Sequence, residues 1–94
     1  MHMDDLIASK MCALAARAEI RDFIDIAAAL APYPRERLIE LAVTRDSGLG
    51  DADFAAAMRR LDSVPDGIFH RYGLTRTDIA ELRGRFASWP RPAG

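Results

Sequence analysis

The 94-residue chain has little of what marks several large protein classes. Its one cysteine, Cys12, excludes an internal disulfide framework and is typical of proteins from a reducing, cytoplasmic compartment. No apolar run approaches the roughly 20 residues of a membrane-spanning helix, so we expect no membrane partner. The formal net charge of −1 lacks the basic excess of most nucleic-acid-binding domains. We expect one small domain over residues 1–94.

Lysine is almost absent as well. Twelve of the thirteen basic residues are arginine, and Lys10 is the single exception. Alanine supplies 17 of the 94 residues, and a GC-rich genome, whose codons favour arginine and alanine, explains both biases without any selection on function. The same bias makes the one retained lysine a position to follow through the structure.

Helical signals run through the whole chain. Apolar residues recur at spacings of three and four between clusters of glycine and proline, and β-branched residues never alternate over the length of a strand. The pattern predicts helices over residues 4–18, 21–31, 34–46, 52–62 and 75–88, with a helical turn at 68–72. We therefore expect an all-α fold, an irregular orthogonal bundle of four to five short helices. Its first two helices form a hairpin, and residues 88–94 form an extended tail.

The same periodicity predicts the core. Its members are Leu6, Ile7, Met11, Leu14, Ala18, Phe23, Ile26, Ala27, Leu30, Leu38, Leu41, Ala42, Phe54, Ala55, Met58, Leu61, Ile79, Leu82 and Phe86. Asp51 is expected to cap the fourth helix, and Thr75 with Asp78 makes a capping box for the last one. Trp89 is expected to lie as a lid on the bundle.

Charged residues concentrate at the corner between the first two helices. Lys10 and Arg17 are two turns apart and share one face of the first helix, and Asp22 and Asp25 share one face of the second. If the two helices pack as an antiparallel hairpin, the cations and carboxylates meet across a groove. Its positive charges suit phosphates, and its carboxylates suit a hard cation such as Mg²⁺.

The same residues also fit a solvated charge network with no ligand. Arg21 and Asp25 have the spacing of an ordinary i,i+4 ion pair, which stabilises a helix by a few tenths of a kcal/mol. Asp22 lies in the first turn of its helix, where an acidic residue is favoured by the helix dipole. Spacing alone leaves both interpretations open.

The order of these residues resembles a motif of the AbiEii/AbiGii-type nucleotidyltransferase toxins of bacterial toxin–antitoxin systems. The matching positions are Lys10, Ala13, Leu14, Arg17, Arg21, Asp22, Asp25 and Ile26, and a weaker likeness extends over residues 4–70. The resemblance implies that Lys10 contacts the nucleotide triphosphate and that Asp25 is the late active-site aspartate, which makes these two the catalytic candidates. It further implies that Arg17, Arg21 and Asp22 bind substrate or brace the carboxylates.

Two parts of that family's active site are not found in this sequence. They are the Gly-Gly or Gly-Ser turn that holds phosphates and the strand-borne Asp-x-Asp pair that holds the metals. The run from Asp51 to Asp53 has the Asp-x-Asp spacing but stands at a helix start, so we interpret it as capping chemistry. We therefore expect the chain to resemble the helical half of such an enzyme, without nucleotide transfer alone. Mg²⁺ and a nucleoside triphosphate would be needed once a catalytic half completes it.

Other hypotheses remain beside this one. The chain could be a helical interaction module, with a catalytic half, an antitoxin or a second copy as partner. Residues 59–94 contain seven arginines and four acidic residues, and this excess of positive charge could form a nucleic-acid-binding surface. No interleaved aromatic residues favour base stacking there. We interpret Cys12 as a small core residue, and His70 could form an i,i+4 pair with Asp66. We predict no metal site within this chain.

Overall fold

The computed structural model describes residues 3–29 and 33–92. Within these ranges the helices are α1 (Met3–Arg17), α2 (Ile20–Ala29), α3 (Arg35–Arg45), α4 (Asp51–Ser63), α5 (Asp66–Arg71) and α6 (Arg76–Phe86). The all-α prediction is confirmed. Six helices are described rather than four or five, because the predicted turn at 68–72 is a short helix that starts directly after Pro65. None of the described helices has the length and apolarity to cross a bilayer.

A two-residue corner joins α1 to α2. Ala18 adopts the left-handed conformation, with φ of 47°, while its amide still donates to the carbonyl of Leu14 at 3.0 Å. A non-glycine residue in this region costs roughly 1–2 kcal/mol, so the surrounding contacts must hold the corner in place. The Ala18 methyl group is itself buried, which offsets part of that cost.

One buried cluster draws side chains from all six helices. The predicted core residues within the described ranges are buried, with Leu6 as the exception at 38% exposure. Leu6 was placed wrongly because it lies about 110° around α1 from the middle of the buried stripe formed by Ile7, Met11 and Leu14. Leu30, with residue 31 of the predicted second helix, lies outside the described residues. The core also includes Phe69, which the periodicity did not identify.

Local capping sets where α4 and α6 begin. Gly50 is the N-cap of α4, and its amide donates to Oδ2 of Asp53 at 2.9 Å. The sequence predicted the cap at Asp51, and the structure places it one residue earlier, at Gly50. At α6 the predicted capping box forms, because Asp78 N donates to Thr75 Oγ1 and Thr75 N donates to Asp78 Oδ2.

The segment after α6 packs against the bundle through Trp89. This ring is 2% exposed and makes edge contacts with Phe86 and Phe54, at centroid distances of 5.0 and 6.3 Å. Arg91 Nε donates to Oδ2 of Asp62 at 2.7 Å, and Arg35 donates to the carbonyl of Ser88. Two arginines thus fasten the segment on either side of the buried tryptophan.

Arg83 links three helices. Its guanidinium donates to the carbonyls of Leu61 and Val64 at 3.3 and 2.8 Å, and to Oδ1 of Asp66 at 3.0 Å. The same group lies 5.1 Å from the ring centre of Phe69. It therefore satisfies carbonyls at the end of α4 while holding α5 against α6.

We predict that Arg83→Lys lowers the free energy of unfolding by about 1–3 kcal/mol, because a lysine cannot donate to three acceptors from a planar fork. Urea unfolding would measure the change as a shift in midpoint at constant slope. Arg85→Lys is the matched control on the same helix, at an exposed residue with no partner in the described ranges, and should cost under about 0.5 kcal/mol. Equal effects of both substitutions would contradict the assigned role.

Candidate functional site

The hairpin brings Lys10 and Asp25 together. Nζ of Lys10 donates to Oδ2 of Asp25 at 2.9 Å, although the two residues are fifteen positions apart. Both side chains are about one third exposed, at 35% and 36%. This ion pair requires α2 to fold back along α1, as the charge pattern predicted. It is open to solvent and to any ligand of this face.

A second ion pair closes the corner itself. Arg17 Nε donates to Oδ2 of Asp22 at 3.0 Å, and Arg17 Nη2 donates to Oδ1 at 2.9 Å. This two-pronged geometry is the strong form of an arginine–carboxylate contact. The amide of Glu19 also donates to Oδ2 of Asp22 at 3.0 Å, so the carboxylate caps the start of α2. One side chain therefore fixes the end of α1 and the beginning of α2.

Asp22 differs sharply from Asp25 in its surroundings. The side chain of Asp22 is 5% exposed, and three donors occupy its two oxygens. The Arg17 hydrogen bond is the largest cause that lowers the pKa of the Asp22 carboxyl, and the Glu19 amide and the charge of Lys10 act in the same direction. Burial opposes them. Contact between Asp22 and a substrate or metal would therefore require one of these bonds to break.

Arg21 lies apart from this arrangement. It is exposed and makes no hydrogen bond or ion pair with any residue of the described ranges. The i,i+4 pair with Asp25 that its spacing allowed does not form, and the Asp25 carboxylate instead accepts from Lys10 on the neighbouring helix. The structure thus joins four of the five predicted site residues in two ion pairs and leaves the fifth free.

The remaining candidate residues have local partners. Nδ1 of His70 lies 2.9 Å from the carbonyl of Leu74, and Asp66 pairs with Arg83, so the possible His70–Asp66 contact is not made. Cys12 is half-buried, and burial is the largest cause that raises the pKa of its thiol, which disfavours the nucleophilic thiolate. Across residues 3–29 and 33–92, no cluster of His, Cys, Asp or Glu could hold a metal ion.

A surface groove of about 520 Å³ opens beside the hairpin corner. Its walls include Ile20 from the start of α2, Arg60 and Val64 from the end of α4, and Ile68 and Tyr72 around α5. Sequence reasoning missed this feature because its residues come from three separate segments. The one available signal was the spacing of four residues between the large apolar residues at 64, 68 and 72.

No family model, curated protein or solved structure matches this chain. The assignment of a function therefore depends on the geometry of the hairpin and on the motif that its sequence resembles.

We predict that Asp22→Asn lowers the free energy of unfolding at pH 7 by about 1–3 kcal/mol, because a charge-assisted fork becomes a weaker amide contact. A carboxyl whose pKa is lowered on folding stabilises the fold above its unfolded pKa, and that stability is lost as the pH falls through the folded value. The difference between wild type and variant should therefore shrink below about pH 4.

Thermal and urea unfolding across pH would measure this difference. Asp25→Asn is the matched control on the same helix, and it should cost under about 1 kcal/mol at pH 7 because that ion pair is one third exposed. An Asp22→Asn penalty that persists undiminished at pH 2–3 would contradict the electrostatic explanation.

Proposed function

We propose that this chain is the helical, nucleotide-facing part of an AbiEii-like nucleotidyltransferase, incomplete for catalysis by itself. The main support for the proposal is the contact between Lys10 and Asp25, the two residues that the resemblance implies are catalytic. Lys10 Nζ lies 2.9 Å from Asp25 Oδ2, and both side chains are about one third exposed. The two residues are fifteen positions apart and meet because α2 folds back along α1. A motif retained for core packing alone would not require these two polar side chains to meet at the surface.

Lys10 is suited to a phosphate contact. Its ammonium has three donors, and the described structure gives it one partner, Asp25. A triphosphate oxygen is a strong acceptor for the remaining donors, and an exposed ion pair is weak enough to exchange partners at small cost. Arg17 lies two turns further along the same face and is 55% exposed, so it can extend the positive field along a polyphosphate.

The carboxylates of this chain do not make a metal site by themselves. Asp22 is buried and accepts three hydrogen bonds, whereas Asp25 is about one third exposed and accepts one from Lys10, so Asp25 is the more accessible of the two candidate aspartates. Octahedral Mg²⁺ needs further carboxylate, phosphate or water oxygens. Lys10 and Arg17 therefore fit a triphosphate. Mg²⁺ would neutralise the phosphate charge there, and a catalytic half would supply most of its ligands.

A second candidate, a non-catalytic interaction module, is favoured by a different observation. Met3 and Leu6 are 57% and 38% exposed on the first turns of α1. Large apolar side chains gathered at one place on a surface are typical of protein contacts. A catalytic half or an antitoxin that covered this turn would lie next to Lys10, so the two candidate functions are compatible.

We predict that ATP or GTP with Mg²⁺ shifts the amide NMR signals of α1 and α2, and that Lys10→Met weakens this binding about tenfold through the loss of a charge-assisted hydrogen bond. Arg45→Met is the matched control, since Arg45 is an exposed cation at the end of α3 without a partner in the described ranges. Absence of saturable shifts, or an equal loss in both variants, would contradict the proposal.

A further inference from the structure

Residues 88–92, which follow α6 and which we call the strap, are attached to the bundle mainly by side chains. Trp89 is the one buried residue of the five, and Pro90 is half-buried. Pro90 and Pro92 have no amide proton to donate. In the described part of the chain, the strap makes one backbone–backbone hydrogen bond, from the amide of Trp89 to the carbonyl of Phe86 at 3.1 Å. A segment with so few main-chain bonds can leave the surface without the loss of a helix.

The indole of Trp89 is buried with an unsatisfied polar group. Its Nε1–H has no hydrogen-bond acceptor among residues 3–29 and 33–92. A buried tryptophan usually directs this group to a partner, and water would satisfy it once the ring moves out. The edge contacts of the ring with Phe86 and Phe54 favour burial. Because the unsatisfied N–H opposes those contacts, the ring is held less firmly than its burial alone would indicate.

Two arginines supply the remaining attachments of the strap. Arg91 Nε donates to Oδ2 of Asp62 at 2.7 Å, and these two side chains are 33% and 51% exposed. The Arg91 guanidinium also donates to two nearby main-chain carbonyls, and Arg35 donates to the carbonyl of Ser88. An ion pair this exposed contributes little free energy and is screened by salt. The strap is thus fastened by one ring and by bonds that water can replace.

An aromatic contact connects the strap to the hairpin. The ring of Phe86 on α6 lies edge-on to Trp89, at a centroid distance of 5.0 Å, and edge-on to Phe23 of α2, at 5.7 Å. Phe23 is fully buried, and it directly follows Asp22 in α2. Phe86 therefore supports α2 while Trp89 packs against Phe86 itself.

We infer that the strap is a releasable latch on α2: it opens while the bundle stays folded, and the open state loosens α2. Departure of Trp89 uncovers Phe86 and removes the ring that packs beside it, so Phe86 can shift away from Phe23. Loosening of this kind couples distant parts of a protein through local opening. The opening itself needs no nucleotide. Its consequence for the phosphate contact rests on the proposed function, because α2 carries Asp25.

Hydrogen exchange of the full chain, followed by NMR without nucleotide in low concentrations of urea, tests the latch. Trp89 is the one tryptophan of the sequence, so a single indole signal reports on the strap. Local opening exposes little surface, so exchange of Nε1–H should respond to urea with under about half the slope of the slowest amides of α1 and α4. Equal slopes would show that the strap opens only with the whole bundle, and would overturn the inference.

The variant Asp62→Asn tests the link to α2. Loss of the ion pair with Arg91 should speed the exchange of Nε1–H and of the α2 amides by the same factor, about two- to fivefold. Glu81→Gln is the matched control, because it removes one negative charge from an exposed residue of α6 that has no partner in the described ranges. Circular dichroism would establish that both variants keep their helices. Equal effects of the two variants, or α2 amides that do not respond when Nε1–H does, would overturn the inference.

Discussion

The carboxylate of Asp22 is the constraint on which the geometry of the hairpin depends. It receives the guanidinium of Arg17 from the end of α1 and the amide of Glu19 from the start of α2, in a position that is almost fully buried. Ala18 between them adopts a conformation that a non-glycine residue takes only at a cost. These bonds hold the corner against that cost, and the closed corner sets the separation of the two helices further along, where Lys10 meets Asp25.

Several arginines have structural roles that the composition alone could not reveal. Arg83 and Arg91 each join main-chain carbonyls to a carboxylate, while Arg35 reaches the carbonyl of Ser88. A guanidinium has five donors in a plane and can serve several acceptors at once, which a lysine ammonium does less well. Codon bias explains why arginine is common, and the fold explains why particular arginines bridge the ends of helices.

The predictable part of the structure is the local part. Helix positions, most of the core and the shared faces of Lys10, Arg17, Asp22 and Asp25 follow from spacings of three, four and seven residues. The choice of ion-pair partner does not, because it depends on how α2 lies against α1: Asp25 takes Lys10 from the neighbouring helix instead of Arg21 from its own. The links made by Arg83 also span 17 to 22 residues, and no local pattern marks them.

The two ion pairs of the hairpin differ in exposure and in how much they stabilise the fold. The Arg17–Asp22 pair includes a buried carboxylate that accepts three hydrogen bonds, and removal of one partner from such a contact leaves polar groups unsatisfied. The Lys10–Asp25 pair is one third exposed on both sides, and pairs of this kind contribute about 0–1 kcal/mol. Exchange of Asp25 for the phosphate of the proposed nucleotide contact would therefore cost the fold little. The hairpin therefore has a buried carboxylate in the pair at its corner and a weak, exposed pair at its open face, where the proposed nucleotide contact would form.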